Sequence, residues 1–128
     1  MVKTAAILFG IVFLAVGILG FVPGITTTGP DGMPMLLNIF MVNAPHSIVH
    51  IASGIVFLFA GMAGPGPSRM WFRIFGVVYA LVAVLGFMTP NGMLLGLISN
   101  NMADTWLHVV LAVAMLFLGF VAKDTATV

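Results

Sequence analysis

The residues able to do chemistry in this chain fall at two places with the same spacing. Asn43, His46 and His50 form one set, and Asn101, Asp104 and His108 the other; both read N-x-x-[HD]-x-x-x-H. On a helix, positions i, i+3 and i+7 lie along one stripe, so each set aims polar groups in one direction from a helix start. Three chemistries suit these residue types. The leading one is structural: Asn43 and Asn101 cap two helices, while Asp104 pairs with His46 or with His50. Ala44-Pro45 fits the cap, because proline is favoured at the first helical position. Asp104 suits a first turn, where the helix dipole favours negative charge. The second is a metal centre with His46, His50, Asp104 and His108 as ligands, since a histidine pair at i and i+4 is how a helix presents two imidazoles to zinc. Four N/O ligands suit zinc or copper(II). Met33, Met35, Met41, Met88, Met93 and Met102 all fall on the outer side of the chain's apolar spans; thioethers favour copper(I), and for any one of them a flexible core filler is the commoner role. The third is a b-type haem or quinone site, with His50 and His108 as opposed axial ligands, or a proton relay through the cluster.

The rest of the sequence must position these groups. The chain has 128 residues, 62% hydrophobic and 5% charged, with a mean hydropathy of +1.26. A soluble domain carries about 25% charged residues, so this composition implies solvation by lipid. A net charge of +1 excludes a nucleic-acid footprint. The lack of cysteine excludes disulfides, thiolate metal sites and a cysteine nucleophile. No phosphate-binding loop and no serine-histidine-aspartate spacing is legible near Ser47, Ser53, Ser99 or Thr105, so the expectation is a protein that is not an enzyme.

The charges are Lys3, Asp31, Arg69, Arg73, Asp104, Lys123 and Asp124. The apolar stretches between them predict four spans at Thr4–Val22, Pro45–Ala63, Trp71–Met88 and Ala103–Val121. Each approaches the ~20 residues a helix needs to cross hydrocarbon. The first exceeds the roughly 7–15 residues of a signal-peptide core and lacks an A-x-A site before Pro23, so it reads as a retained helix. All the Lys and Arg fall on one side of these spans, which predicts cytoplasmic termini. The outward loops are then 23–44 and 89–102. Gly64-Pro65-Gly66-Pro67-Ser68 is a breaker cluster between spans two and three, with Trp71 beside it as an interfacial anchor.

The halves repeat, over about residues 4–63 and 71–121. Phe9-Gly10-Ile11-Val12-Phe13 matches Phe75-Gly76-Val77-Val78-Tyr79, Leu19-Gly20-Phe21 matches Leu85-Gly86-Phe87, and Met35-Leu36-Leu37 matches Met93-Leu94-Leu95. Asn43, His46, His50 and Gly61 then fall opposite Asn101, Asp104, His108 and Gly119. Each half holds two spans, so both insert in the same sense, about a pseudo-twofold axis along the membrane normal. The expected fold is an all-α membrane protein: one transmembrane domain over residues 1–128, with two parallel-repeat hairpins bundled so that spans two and four are partners. Gly10 and Gly17, like Gly54 and Gly61, share a helix face that permits close approach. The apolar segments 33–42 and 92–98 are too short to span, and are expected as interfacial or re-entrant caps on the outer side.

At Asn101-Met102-Ala103-Asp104-Thr105-Trp106-Leu107-His108 the sequence resembles the domain of unknown function 4383 family of small bacterial membrane proteins. The resemblance extends to Val22-Pro23-Gly24 after span one and His46-Ser47-Ile48-Val49-His50 at the start of span two. Members often carry Asn after the first His, where this chain has Ser47. The resemblance implies a membrane protein and no particular activity. The reading is a multi-pass protein of the bacterial plasma membrane, structural or accessory in role. Its partners are the bilayer and either a second copy or a larger complex. The alternatives are a periplasm-side zinc or copper protein and a haem, quinone or proton-relay protein.

Overall fold

The computed structural model describes residues 1–30, 32–89 and 92–123; Asp31 and Asp124, and residues 90–91 of the second loop, lie outside these. Four helices carry the fold: α1 (Val2–Leu19), α2 (Ala44–Ala63), α3 (Pro65–Met88) and α4 (Met102–Leu116), the last continued by a π-helical turn at Phe117–Val121. All four are long and apolar enough to cross a membrane, at 18, 20, 24 and 20 residues with the π turn included. A rise of ~1.5 Å per residue makes them roughly 27–36 Å long. Their outward faces expose Leu8, Val12, Phe59, Leu81, Val110 and Val113, which in a soluble protein would form an aggregating surface and in lipid is the solvated one.

The helix ends follow local chemistry. The breaker cluster expected as a loop contracts to Gly64 alone, whose φ of +130° turns the chain. Pro65 then starts α3, because a proline at the first helical position forfeits no hydrogen bond. At the far end of the π turn, Arg69 donates to Ala122 O at 2.6 Å and Leu118 O at 3.3 Å, and Arg73 Nε donates to Gly119 O at 2.7 Å. Among the described residues these carbonyls, at the end of the helix, have no helical N–H to accept.

The segments expected as interfacial or re-entrant caps fold as two small antiparallel sheets. One orders β1 (Thr26–Thr28), β2 (Pro34–Leu36) and β3 (Phe40–Met41); the other pairs β4 (Gly92–Leu94) with β5 (Ile98–Asn100). Both tight turns place two residues at positive φ: Leu37 and Asn38 (54° and 58°), and Leu95 and Gly96 (54° and 70°). Each is a tight turn within a three-residue connection, between the pairs Leu36–Phe40 and Leu94–Ile98, and its positive-φ residues match the twist of the flanking strands. Asn and Gly adopt positive φ readily, whereas a leucine there is uncommon, and this is why the pattern did not read as a hairpin.

The closest helix packing is α1 on α2 and α3 on α4, with α2 on α3 next. A Cβ added to Gly54 would lie 2.8 Å from Gly10 O, and one added to Gly10 would lie 2.9 Å from Gly54 O, so these backbones meet only because both side chains are absent. The expected partnership of spans two and four is corrected here. Their backbones do not pack closely, and α2 and α4 meet through side chains. Small-residue faces direct each helix onto its neighbour in sequence instead. Phe9, Phe13, Phe57 and Phe72 fill the centre, with Phe9 edge-on to Phe72 at 5.1 Å and Phe13 stacked on Phe57 at 6.0 Å.

Candidate functional site

The polar residues gather at the hairpin end of the bundle, above this aromatic core. Asn43 and Asn101, both extended, stand immediately before α2 and α4. The Asn43 side-chain oxygen accepts His46 N–H at 3.0 Å, and that of Asn101 accepts Asp104 N–H at 2.9 Å. The two side-chain amides then reach in opposite directions. Asn43 donates to Leu97 O in the β4–β5 turn at 2.9 Å, and Asn101 donates to Ile39 O in the β2–β3 turn at 2.9 Å. Each cap thus ties its helix to the hairpin of the other half of the chain. Asn43 is further paired with Ser99, whose hydroxyl accepts Asn43 N–H at 2.8 Å.

Asp104 does not pair with a histidine. Its carboxylate turns back to accept Asn101 N–H at 3.1 Å and completes a capping box. Among the described residues no ion pair joins it to His46 or His50, because this local bond holds the carboxylate on its own helix. Asp104 is nonetheless buried and lines the same small void as His46, His50 and His108.

The three imidazoles converge. One ring nitrogen from each of His46, His50 and His108 lies within 4.8 Å of the other two, while Asp104 falls outside that group, so the four-ligand set expected from spacing reduces to three. His46 and His50 meet edge to face with ring centroids 4.6 Å apart, and His46 and His108 are 6.0 Å apart. All three are buried, at 3%, 6% and 4% exposure. His46 Nδ1 lies 3.1 Å from Met41 O. A carbonyl only accepts, so Nδ1 carries the proton and Nε2 keeps its lone pair. The Nδ1 atoms of His50 and His108 are enclosed and have no hydrogen-bond partner among the described residues. Among the described residues no methionine lines the voids around the imidazoles, and the thioether nearest in the hydrogen-bond network, Met93 Sδ, lies 3.9 Å from Asn43 Nδ2.

Several members of the site carried little signal in sequence. Phe13 packs on His50 at 5.7 Å and Tyr79 on His108 at 5.4 Å, equivalent positions in the Phe9–Phe13 and Phe75–Tyr79 matches. Asn100, fully buried, donates to Thr89 O and to Thr105 Oγ1, both at 3.1 Å. The tandem Asn100-Asn101 was the available clue, because two amides at one helix start exceed what a cap needs. No curated protein and no solved structure matches the chain. The sequence profile of a domain of unknown function, DUF4383, matches residues 3–121, so the chain belongs to that family.

Proposed function

We propose that this protein is a multi-pass, non-enzymatic protein of the bacterial plasma membrane that holds one zinc or copper(II) ion between α2 and α4. The observation that carries the proposal is the set of three buried imidazoles that each bring one ring nitrogen within 4.8 Å of the others, two of these rings also carrying an unpartnered Nδ1. A buried polar atom left unsatisfied costs about 1–3 kcal/mol, so two such atoms on converging imidazoles call for a ligand. Zinc–nitrogen bonds of ~2.0–2.1 Å place tetrahedral ligands about 3.4 Å apart. Moving each nitrogen about 0.8 Å toward the centre closes the 4.8 Å spacing, a shift within reach of side-chain rotation. The Nδ1–H of His46 on Met41 O is the outer-shell bond that orients a metal-ligating imidazole and leaves Nε2 to coordinate. All-nitrogen ligation favours zinc or copper(II) over copper(I).

The reciprocal asparagine bonds favour a structural role for the rest of the cluster. In this reading the chain is two repeats inserted the same way up, with both termini cytoplasmic and the hairpins at the periplasmic interface. Asn43 and Asn101 lock each half to the hairpin of the other and so hold α2 and α4 at the separation the imidazoles need. A chain of this size serves as an accessory module for a larger membrane assembly or a second copy of itself.

Metal analysis of detergent-purified protein tests the proposal. One equivalent of zinc or copper per chain is expected, lost in His50→Ala and His108→Ala but retained in Leu81→Ala, a lipid-facing change on α3. Absence of stoichiometric metal after loading with either ion overturns it.

A further inference from the structure

The bundle is closed where α1 packs on α2, α2 on α3 and α3 on α4, but α1 and α4 make no comparable contact. A crevice of about 430 Å³ runs between them. Its mouth is formed by Leu8 and Val12, both more than half exposed on the lipid-facing side of α1, and by Leu107 and Leu111 of α4. Every lining residue is apolar except His50. A second void of about 140 Å³ shares Val16, Phe40, His50 and Leu107 with the crevice and adds His46, Asp104 and His108. The crevice therefore reaches the three-imidazole centre at His50, which lines both spaces. The crevice volume lies in the range of about 300–1,000 Å³ that holds a small organic ligand.

Charge specifies the head of that ligand. A divalent ion on three neutral imidazoles carries two positive charges, and Asp104 is the one acid lining the void among the described residues. The four basic residues stand toward the other end of the helices, at Lys3, Arg69, Arg73 and Lys123. One positive charge is left over, and an uncompensated charge in a low-dielectric interior is costly. Three imidazoles also leave a fourth coordination position. A single anionic oxygen donor on an apolar chain meets both requirements and fits a passage with no other polar group.

We infer that the crevice between α1 and α4 admits a long-chain carboxylate from the membrane, its carboxylate oxygen taking the fourth position on the metal and its chain lying against Leu8, Val12 and Leu111. The inference rests on the metal reading. Binding exchanges a coordinated water for the carboxylate and makes no covalent bond.

The test uses full-length protein loaded with cobalt(II), whose visible ligand-field spectrum reports its coordination, in a detergent without carboxylates. Palmitate, methyl palmitate and acetate are the probes. Palmitate is expected to change the cobalt spectrum saturably, at a concentration ~10-fold or more below acetate, because an acyl chain concentrates in an apolar site. Methyl palmitate, which has no anionic oxygen, leaves the spectrum unchanged. Val12→Trp and Leu8→Trp fill the mouth of the crevice and abolish the palmitate response while retaining cobalt and the acetate response. Leu81→Trp, equally exposed on α3, retains all three. The inference is overturned if cobalt binds and palmitate acts no better than acetate, or if both crevice variants respond as the unmodified protein does. Failure of cobalt to bind refutes the metal reading itself and is seen before any lipid is added.

Discussion

Asn43 offers the sharpest test of how this bundle is assembled, because its side chain does two jobs that different substitutions separate. Its oxygen caps α2 on His46 N–H, and its amide bridges to Leu97 O in the hairpin of the other half. Loss of an asparagine cap costs typically about 1 kcal/mol. An interhelical side-chain bond in a membrane protein contributes about 0.6 kcal/mol on average. The bridge is exposed, which holds it to no more than that average, and the 3.3 Å contact from Ser99 N–H adds little. Asn43→Ala removes both functions and is expected to lower unfolding free energy by about 1.5 kcal/mol. Asn43→Ser retains an equally good cap but is too short for Leu97 O, and is expected to lose only about 0.6 kcal/mol. Equilibrium unfolding in mixed micelles, followed by circular dichroism, measures both. If serine destabilises as much as alanine, the cap contributes nothing. If serine leaves stability unchanged, the bridge contributes nothing, and the proposed locking of the two halves fails. Asn101, with its own cap and its bridge to Ile39 O, should repeat the pattern. Its alanine variant also disturbs the capping box, so its loss should exceed that of Asn43→Ala.

Four further outcomes follow from the same contacts. Gly54→Ala drives a methyl into Gly10 O and Leu14 N at 2.8 Å, both backbone atoms, and should destabilise by about 1–3 kcal/mol in the same unfolding assay, whereas Gly66→Ala, with nothing within 4 Å, should not destabilise. Chelation should lower the thermal midpoint and added zinc restore it, since an ion at 100 times its Kd stabilises by about 2.7 kcal/mol; identical melting curves with and without chelator count against a resident ion. Arg73→Lys should loosen the π turn, because a lysine loses both the directed bond to Gly119 O and the guanidinium packing 5.0 Å from the Phe120 ring; protection of the 117–121 amides in hydrogen exchange measures it. A cysteine at Thr27 should react with an impermeant thiol reagent from the periplasmic side, and labelling only from the cytoplasm would invert the proposed orientation.

The sequence by itself determined the features encoded within a few residues. Seven charged residues against such an apolar background required four lipid-solvated helices. Asn43 and Asn101 could be read as caps because a cap reaches three residues along the chain. Histidines at i and i+4 were bound to share a face, whatever the fold. The hairpin turns escaped this reading, because Leu37 and Leu95 adopt a backbone region leucine seldom occupies, held there by the paired strands on either side. Only the tertiary structure decided which polar groups meet. Spacing left Asp104 free to face a histidine or its own helix start, and the bond to Asn101 N–H, available on the same turn, took it out of the ligand group. The reach of Asn101 to Ile39 O spans 62 residues, and no local pattern announces it. The crevice between α1 and α4 exists because glycine contacts such as Gly10–Gly54 draw each helix to its sequence neighbour and leave the last pair apart. A close approach is written in small residues, but a gap is the remainder once every other approach has been made, so it belongs to the assembled bundle and to no single segment.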